Sequence, residues 1–439
     1  MRNLGGVRAP HYKNTAKSVP EQIPVPAEVK MPMCMHSGTP ANPVVSVGDY
    51  VKVGQLIGEA AGFVSSPVHA SVSGTVKSID NLDGLTGEKA VTITITSDGK
   101  QTPMDFTPPQ VTNLSEFLEA VRNSGAVGLG GAGYPTAPKF TLKETVNLDY
   151  ILVNGAECEP YITSDTRTMV DETESVWEGV LLMKKYLNPK NIVICIENNK
   201  PEPIKKLKTL CESMDNISVR VLPSLYPQGE RKVLVYNVTG RIVPEGGRLP
   251  DVGCIVVNCT TVATFAKYIK TGSPLVSRCV TVDGSAVKKP KNIITPIGTP
   301  VRELLSYCEL ATDGNLNTNV KKVTLGGPMM GVAIPNLDIP IVKITNAVIA
   351  FSEKDAVPPE PGACIKCGRC IFKCPMNLMP PYIETAYELK QPELLKKYKV
   401  NMCAECACCA FTCPAKRSLV QVMTLAKDML WKYEKGAKA

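Results

Sequence analysis

The sequence predicts a multidomain α/β protein with an all-β module at the front, a second β-rich stretch further on, and a cysteine-rich helical end. Three observations carry this. The chain has 439 residues, about three times the length at which one domain is the default. Its texture changes near residue 113 from short Val-rich runs to alternating helix and strand patterns, as α/β domains require. Nine of its 17 cysteines fall between Cys364 and Cys413. Hydrophobic residues at 44% and charged residues at 21% exclude collagen-like, coiled-coil and disordered classes. No run approaches the roughly 18 to 20 apolar residues that cross a bilayer, and the stretch MRNLGGVRAPHYKNTAKSVPEQ lacks the apolar core of a signal peptide. The expectation is a cytoplasmic polypeptide whose clustered thiols serve a metal or redox cofactor, not disulfides. The formal charge of +8 is dispersed and aromatics are 5%, so no nucleic-acid partner is implied.

Residues 1–34 read as an extended N-terminal segment and 35–111 as a β module, with VVSVGDYVKVGQLIGEA, SPVHASVSGTVKSI and KAVTITIT broken by Gly and Pro. Its two halves resemble the barrel-sandwich fold of biotinyl and lipoyl carrier domains. A carrier needs an exposed Lys on the turn between the halves, and AAGFVSSPVHAS has none, so a structural module is expected. Residues 112–276 read as the α/β domain. LSEFLEAVRNSG suits a helix capped by Asn113 or Ser115 and ended by Gly125, while DYILVNGAE, NIVICIEN, ISVRVLP and GCIVVNCT suit buried parallel strands. Ligand groups in such sheets sit just beyond the strand ends. Residues 277–350 are again β-rich, and SEKDAVPPEPGA opens the segment 351–439 as a linker.

Within that last segment Cys364, Cys367, Cys370 and Cys374 precede Pro375 in the pattern C-x2-C-x2-C-x3-C-P, and Cys403, Cys406, Cys409 and Cys413 precede Pro414 with identical spacing. This is ferredoxin-type ligation of [4Fe-4S] clusters, in which three thiolates wrap one cubane and the fourth serves the other. Zinc ribbons use paired C-x2-C knuckles with a longer spacer and fit less well. LMPPYIETAYELKQPELLKKYKV is expected to form a helix pair between the loops. Cys408 lies off the register and receives no ligand role. The pattern Leu419, Val422, Met423, Ala426, Met429, Leu430 predicts a terminal helix, packed on its own domain in preference to docking elsewhere.

Gly128, Gly130, Gly131 and Gly133 match G-x-G-x-x-G, but a helix precedes the loop and Pro135 follows it, so the dinucleotide-binding context of a strand leading into a helix is missing. Such glycines still let backbone amides approach a phosphate or a flat ring, and Lys139 offers positive charge. Further on, VNGAECEP sets Asn154, Glu157 and Glu159 at a strand end, where they can take ribose hydroxyls or a carboxamide.

GLGGAGYPTAPKF, VNGAECEPYITSDTR, YPQGERK and VVNCTTVATF resemble, in order, the flavin- and NADH-binding motifs of the NADH-oxidising flavoprotein subunit of respiratory complex I. With the barrel-sandwich module and the paired cysteine runs, nearly the whole chain resembles the C subunits of Rnf electron-transport complexes, which are ion-translocating ferredoxin:NAD oxidoreductases. The resemblance implies a β-grasp, SLBB-like module at 277–350. It implies FMN cradled by Gly128, Gly130, Gly131, Gly133 and Lys139, with Asn258 and Thr261 near the flavin phosphate. Asn154, Glu157 and Glu159 would hold the flavin and nicotinamide edges, Tyr226, Gly229 and Glu230 would face the nucleotide, and Glu157 and Glu230 would act in catalysis. Ala156 and Arg231 stand where the complex I protein has Asp and Glu. It further implies NAD(H), two [4Fe-4S] clusters, partner subunits, ferredoxin met directly or through one of them, and a peripheral place on the cytoplasmic side of the membrane. Two other readings share these motifs: a flavin-dependent NADH dehydrogenase serving free ferredoxin, and an electron-wire adaptor without catalysis.

Overall fold

Four sheets and a helical C-terminal end carry the architecture of the computed structural model, which describes residues 4–84, 88–143, 145–309 and 320–436. At the centre, the four predicted strands form one parallel sheet in the order Ile217–Leu222, Asn191–Glu197, Tyr150–Gly155, Cys254–Asn258. Their near-continuous apolar runs reflect burial on both faces. Ile151, Val153, Ile194 and Val257 pack under Phe117, Phe140 and Phe265 on one side, while Leu152, Val193 and Val256 meet Leu234 and Val235 on the other. The expected helix runs Leu114–Asn123, and the Asn113 side chain accepts the Glu116 amide at 3.0 Å as its cap.

The barrel-sandwich module is built from a sheet of Glu28–Pro32, Lys89–Ser97, Gly74–Asp83 and Tyr50–Val51, and a smaller one of Asn42–Pro43, Leu56–Glu59 and Val68–His69. The strand Glu28–Pro32 pairs with Lys89–Ser97 and turns Val29 and Met31 into the core. The N-terminal segment is therefore part of this sheet. It also adds Glu21–Gln22 to the edge of a six-stranded sheet completed by Lys291–Pro296, Ser277–Asp283, Ala347–Phe351, Lys322–Leu325 and Val332–Ala333. The helix Val301–Tyr307 packs against that sheet through Val301, Leu304 and Leu305, which gives the β-grasp arrangement.

In the C-terminal domain the helix pair appears as Pro380–Glu388 and Pro392–Lys397, and the terminal helix Leu419–Glu434 buries Met423, Ala426 and Leu430 against them. Among the described residues no helix is long and apolar enough to cross a membrane. Three modules are pinned by one residue, Lys343. Its fully buried ammonium donates to Ser66 Oγ at 3.1 Å, to the Gly125 carbonyl at 2.8 Å and to the Pro67 carbonyl. Burial lowers its pKa to about 7.

Candidate functional site

The glycine loop joins the helix Leu114–Asn123 to the short helix Thr136–Phe140 and lies beside the C-terminal end of the central sheet. Thr261 fixes it, accepting the Leu129 amide at 3.0 Å and donating to the Val127 carbonyl at 2.8 Å. Asn258 caps the helix Cys259–Thr271 by accepting the amides of Thr260 and Thr261, and its Nδ2 donates to Asp165 at 2.7 Å. A Cβ on Gly130 would stand 2.9 Å from that Nδ2, so only glycine fits there. Both residues expected near the flavin phosphate therefore have committed side chains, Thr261 bonded to the loop and Asn258 abutting it.

Gly131 and Gly133 adopt φ of +108° and +65°, conformations natural to glycine. The amides of Gly130, Gly131 and Ala132 have no acceptor among the described residues, and nothing lies within 4 Å of the point where a Gly131 Cβ would project. Lys139 follows directly. Its ammonium has no acidic partner among the described residues, and burial, with the charge of Arg231 beside it, lowers its pKa to about 8. Free loop amides bordering open space, followed in the chain by a lysine with no acidic partner, suit an anion and fit a phosphate-bearing flavin. A bound phosphate would favour the charged Lys139, so binding takes up a proton wherever the free ammonium is partly deprotonated. FMN affinity should therefore fall as pH rises through about 8, with the slope flattened in Lys139→Met. Flavin fluorescence titration at each pH measures this, and an equal slope in the variant would remove Lys139 from the site.

The acidic residues are more engaged than the sequence suggests. The buried Glu157 carboxylate accepts the Asp165 amide at 2.6 Å, the Thr166 amide at 3.3 Å and the Thr166 hydroxyl, capping the helix Ser164–Asp171. Burial still raises its pKa. Glu159 accepts the amides of Met329 and Met330 at 3.1 and 2.8 Å, tying the β-grasp module to the strand end, and burial raises its pKa to about 7. Glu230 caps Arg231–Thr239 through the amides of Lys232 and Val233. Asn154 donates to the Gly229 carbonyl at 2.9 Å. Lys13 has no local signal in the sequence. Its ammonium reaches across from the N-terminal segment to the carbonyls of Glu157, Glu159 and Ile162 at 2.6 to 2.9 Å and holds the whole acidic turn.

Around the cysteines the chain repeats its own backbone. Lys366 and Gly368 in the first run, and Glu405 and Ala407 in the second, all have positive φ, as do Asn377 and Lys416 after the two Pro turns. One cavity is lined by Cys403, Cys406, Cys408, Cys409 and, from the other run, Cys374. The Glu405 amide donates to Cys403 Sγ at 3.4 Å and the Leu378 amide to Cys374 Sγ at 3.3 Å, the kind of N–H···S contact that tunes cluster potentials. Cys370 in turn feels the charges of Cys413 and Cys364. The thiols suit a cubane. Cys408, buried, points its sulfur at the Tyr226 carbonyl, 3.8 Å away, and Tyr226 packs with Cys406, Cys408 and Val7.

Comparison with known proteins identifies the modules that carry these residues. The Nuo51 FMN-binding domain matches residues 121–267, the RnfC barrel sandwich hybrid domain residues 1–100, and the SLBB domain residues 279–333. The chain is 37% identical to the C subunit of the proton-translocating ferredoxin:NAD(+) oxidoreductase complex of Clostridium ljungdahlii, over 90% of this chain and 86% of that one. It is 37% identical to the Na(+)-translocating counterpart of Acetobacterium woodii over 96% of both. It is 34% identical to the C subunit of the ion-translocating oxidoreductase complex of Rhodobacter capsulatus over 86% of this chain and 73% of that one. With the flavin-type loop, the barrel-sandwich and SLBB modules and the paired cysteine runs in one chain, this protein belongs to the family of C subunits of Rnf-type ion-translocating ferredoxin:NAD(+) oxidoreductase complexes.

Proposed function

We propose that this chain is the electron-transfer subunit of a membrane-bound ferredoxin:NAD oxidoreductase, carrying FMN, a nicotinamide site and two [4Fe-4S] clusters on the cytoplasmic face. The observation that carries this reading is an unbroken line of contacts from the glycine loop to the cysteine cavity. Gly130 abuts Asn258, Asn258 lies beside Asn154 in the sheet, and Asn154 binds the Gly229 carbonyl. Three residues earlier Tyr226 packs on Cys406 and Cys408. The cavity of Cys374, Cys403, Cys406 and Cys409 is thus the one adjoining the flavin domain. Cys364 and Cys367 of the other set are exposed, which suits exchange with a partner subunit or ferredoxin.

When bound, FMN supplies conversion between hydride chemistry and single electrons, which the cubanes carry. The chain's own residues supply placement. The loop amides and Lys139 hold the phosphate-bearing cofactor, with Glu157 and Glu230 at the nicotinamide side, and the buried Tyr226 keeps water out of the gap to the clusters. Ferredoxin is met directly or through a partner, and membrane association runs through the other subunits.

The test is anaerobic isolation with the membrane fraction, followed by flavin and iron analysis and mixing with NADH. Bleaching of flavin and then of cluster absorbance is the expected result, and a flavin-loaded chain that NADH leaves oxidised would defeat the reading. Glu157→Gln keeps an oxygen for the Asp165 and Thr166 amides but removes the negative charge and sets an NH2 against the Thr166 hydroxyl. It should slow bleaching by about tenfold or more while most flavin is retained. An unchanged rate would move the nicotinamide contact toward Glu230.

A further inference from the structure

Two residues from outside the flavin domain touch the glycine loop in a way that the motif does not specify. Arg278, on the β-grasp strand Ser277–Asp283, is 3% exposed. Its Nη2 donates to the Leu129 carbonyl at 2.9 Å and its Nε to the Thr345 carbonyl at 3.4 Å. Among the described residues no carboxylate forms an ion pair with it. Ser37, in the barrel-sandwich module, donates its hydroxyl to the Ala132 carbonyl at 3.1 Å and its amide to the Gly133 carbonyl at 2.9 Å. The Gly128 carbonyl is taken by the Gly133 amide. The loop is therefore asymmetric. Four of its six carbonyls are hydrogen-bonded, those of Gly130 and Gly131 having no donor among the described residues, while the amides of Gly130, Gly131 and Ala132 stay free.

We propose that Arg278 and Ser37 are positioning residues for the Gly128–Gly133 loop: Arg278 draws inward the Leu129 carbonyl, whose peptide carries the free Gly130 amide, and Ser37 pins the Ala132–Gly133 end, so that the free amides are held toward the phosphate of the flavin. This rests on the FMN reading above. A peptide plane can turn either its N–H or its C=O toward a ligand, and a carbonyl facing a phosphate dianion is repulsive. Anchoring the carbonyl fixes which of the two the ligand meets. The buried guanidinium, with no counter-ion in contact, adds positive potential beneath the same loop, where low dielectric strengthens it.

The proposal separates from a merely structural role through the phosphate. FMN and riboflavin share ring and ribityl chain, so loosening the fold weakens both, whereas turning a loop amide weakens only FMN. Full-length chains stripped of flavin are titrated with each ligand. Arg278→Lys, which keeps charge but loses the fork, should raise the FMN Kd by about tenfold, the worth of one charge-assisted hydrogen bond, with riboflavin changed by less than about twofold. Ser37→Ala, exposed and safe for folding, should shift in the same direction by about threefold, with the phosphorus resonance of bound FMN moved toward its free position. Equal losses for both ligands, or no loss in Ser37→Ala, would overturn the proposal. Wild-type chain that takes up neither ligand would overturn the FMN reading itself and the proposal with it.

Discussion

Full-length chains carrying Cys374→Ser together with Cys403→Ser should keep about four irons, whereas Cys374→Ser with Cys364→Ser should keep almost none. The two double variants remove the same number of thiols. In the first, both come from the cavity that Cys374 shares with Cys403, Cys406 and Cys409, so one cluster is sacrificed and Cys364, Cys367, Cys370 and Cys413 remain whole. In the second, each cluster loses a ligand. If each run were self-contained the outcomes would reverse, because Cys374 and Cys364 would then share a cubane. Iron analysis and low-temperature spin resonance after anaerobic reconstitution decide between them. For the same reason a chain ended after about residue 400 should hold little intact cluster, although it keeps the first run entire. It also loses Met423, Ala426 and Leu430 from the core beneath the helix pair.

Gly131→Val should abolish flavin binding while the protein still folds. The residue is exposed and its Cβ would meet no protein atom within 4 Å, so the side chain enters the space in front of the free amides and not the core. The φ of +108° adds strain of about 1 to 3 kcal/mol for a β-branched residue. Gly131→Ala shares most of the strain with less bulk and should retain part of the flavin. Flavin content after reconstitution, read beside a thermal melt, measures both. Stoichiometric flavin in the valine variant would place the cofactor elsewhere.

The parallel strands, the Leu114–Asn123 helix and the cysteine quartets were legible because each is written in local pattern: apolar runs, a cap residue, fixed thiol spacing. The acids were legible as a cluster but not in what they do. A carboxylate at a strand end reads the same whether it faces a ligand or caps the next helix, and only the fold places Glu157 over Ser164–Asp171 and Glu230 over Arg231–Thr239. Lys13, Ser37 and Arg278 left no trace at all, because each acts on backbone more than ninety residues away and a hydrogen bond to a carbonyl imposes no sequence signature on its acceptor. The strand Glu28–Pro32 was missed for a related reason, since its partner Lys89–Ser97 lies beyond most of the module. Cys408, off the register of the repeated run, is buried against Tyr226, which makes it part of the seam between flavin and cluster domains.

The N-terminal segment has a consequence for how the protein is made. Val7 pairs with Tyr226, Gly5 rests on the backbone of Cys374, and Lys13 closes the turn of Glu157 to Ile162. These early residues emerge from the ribosome long before any of their partners, and contacts so distant in sequence form slowly. Although Glu28–Pro32 can join its sheet as soon as Lys89–Ser97 is made, residues 5–13 must wait until the flavin domain and the first cysteine run have been synthesised. Their seating then works as a latch on assembly, closing only over a chain whose later domains are already in place.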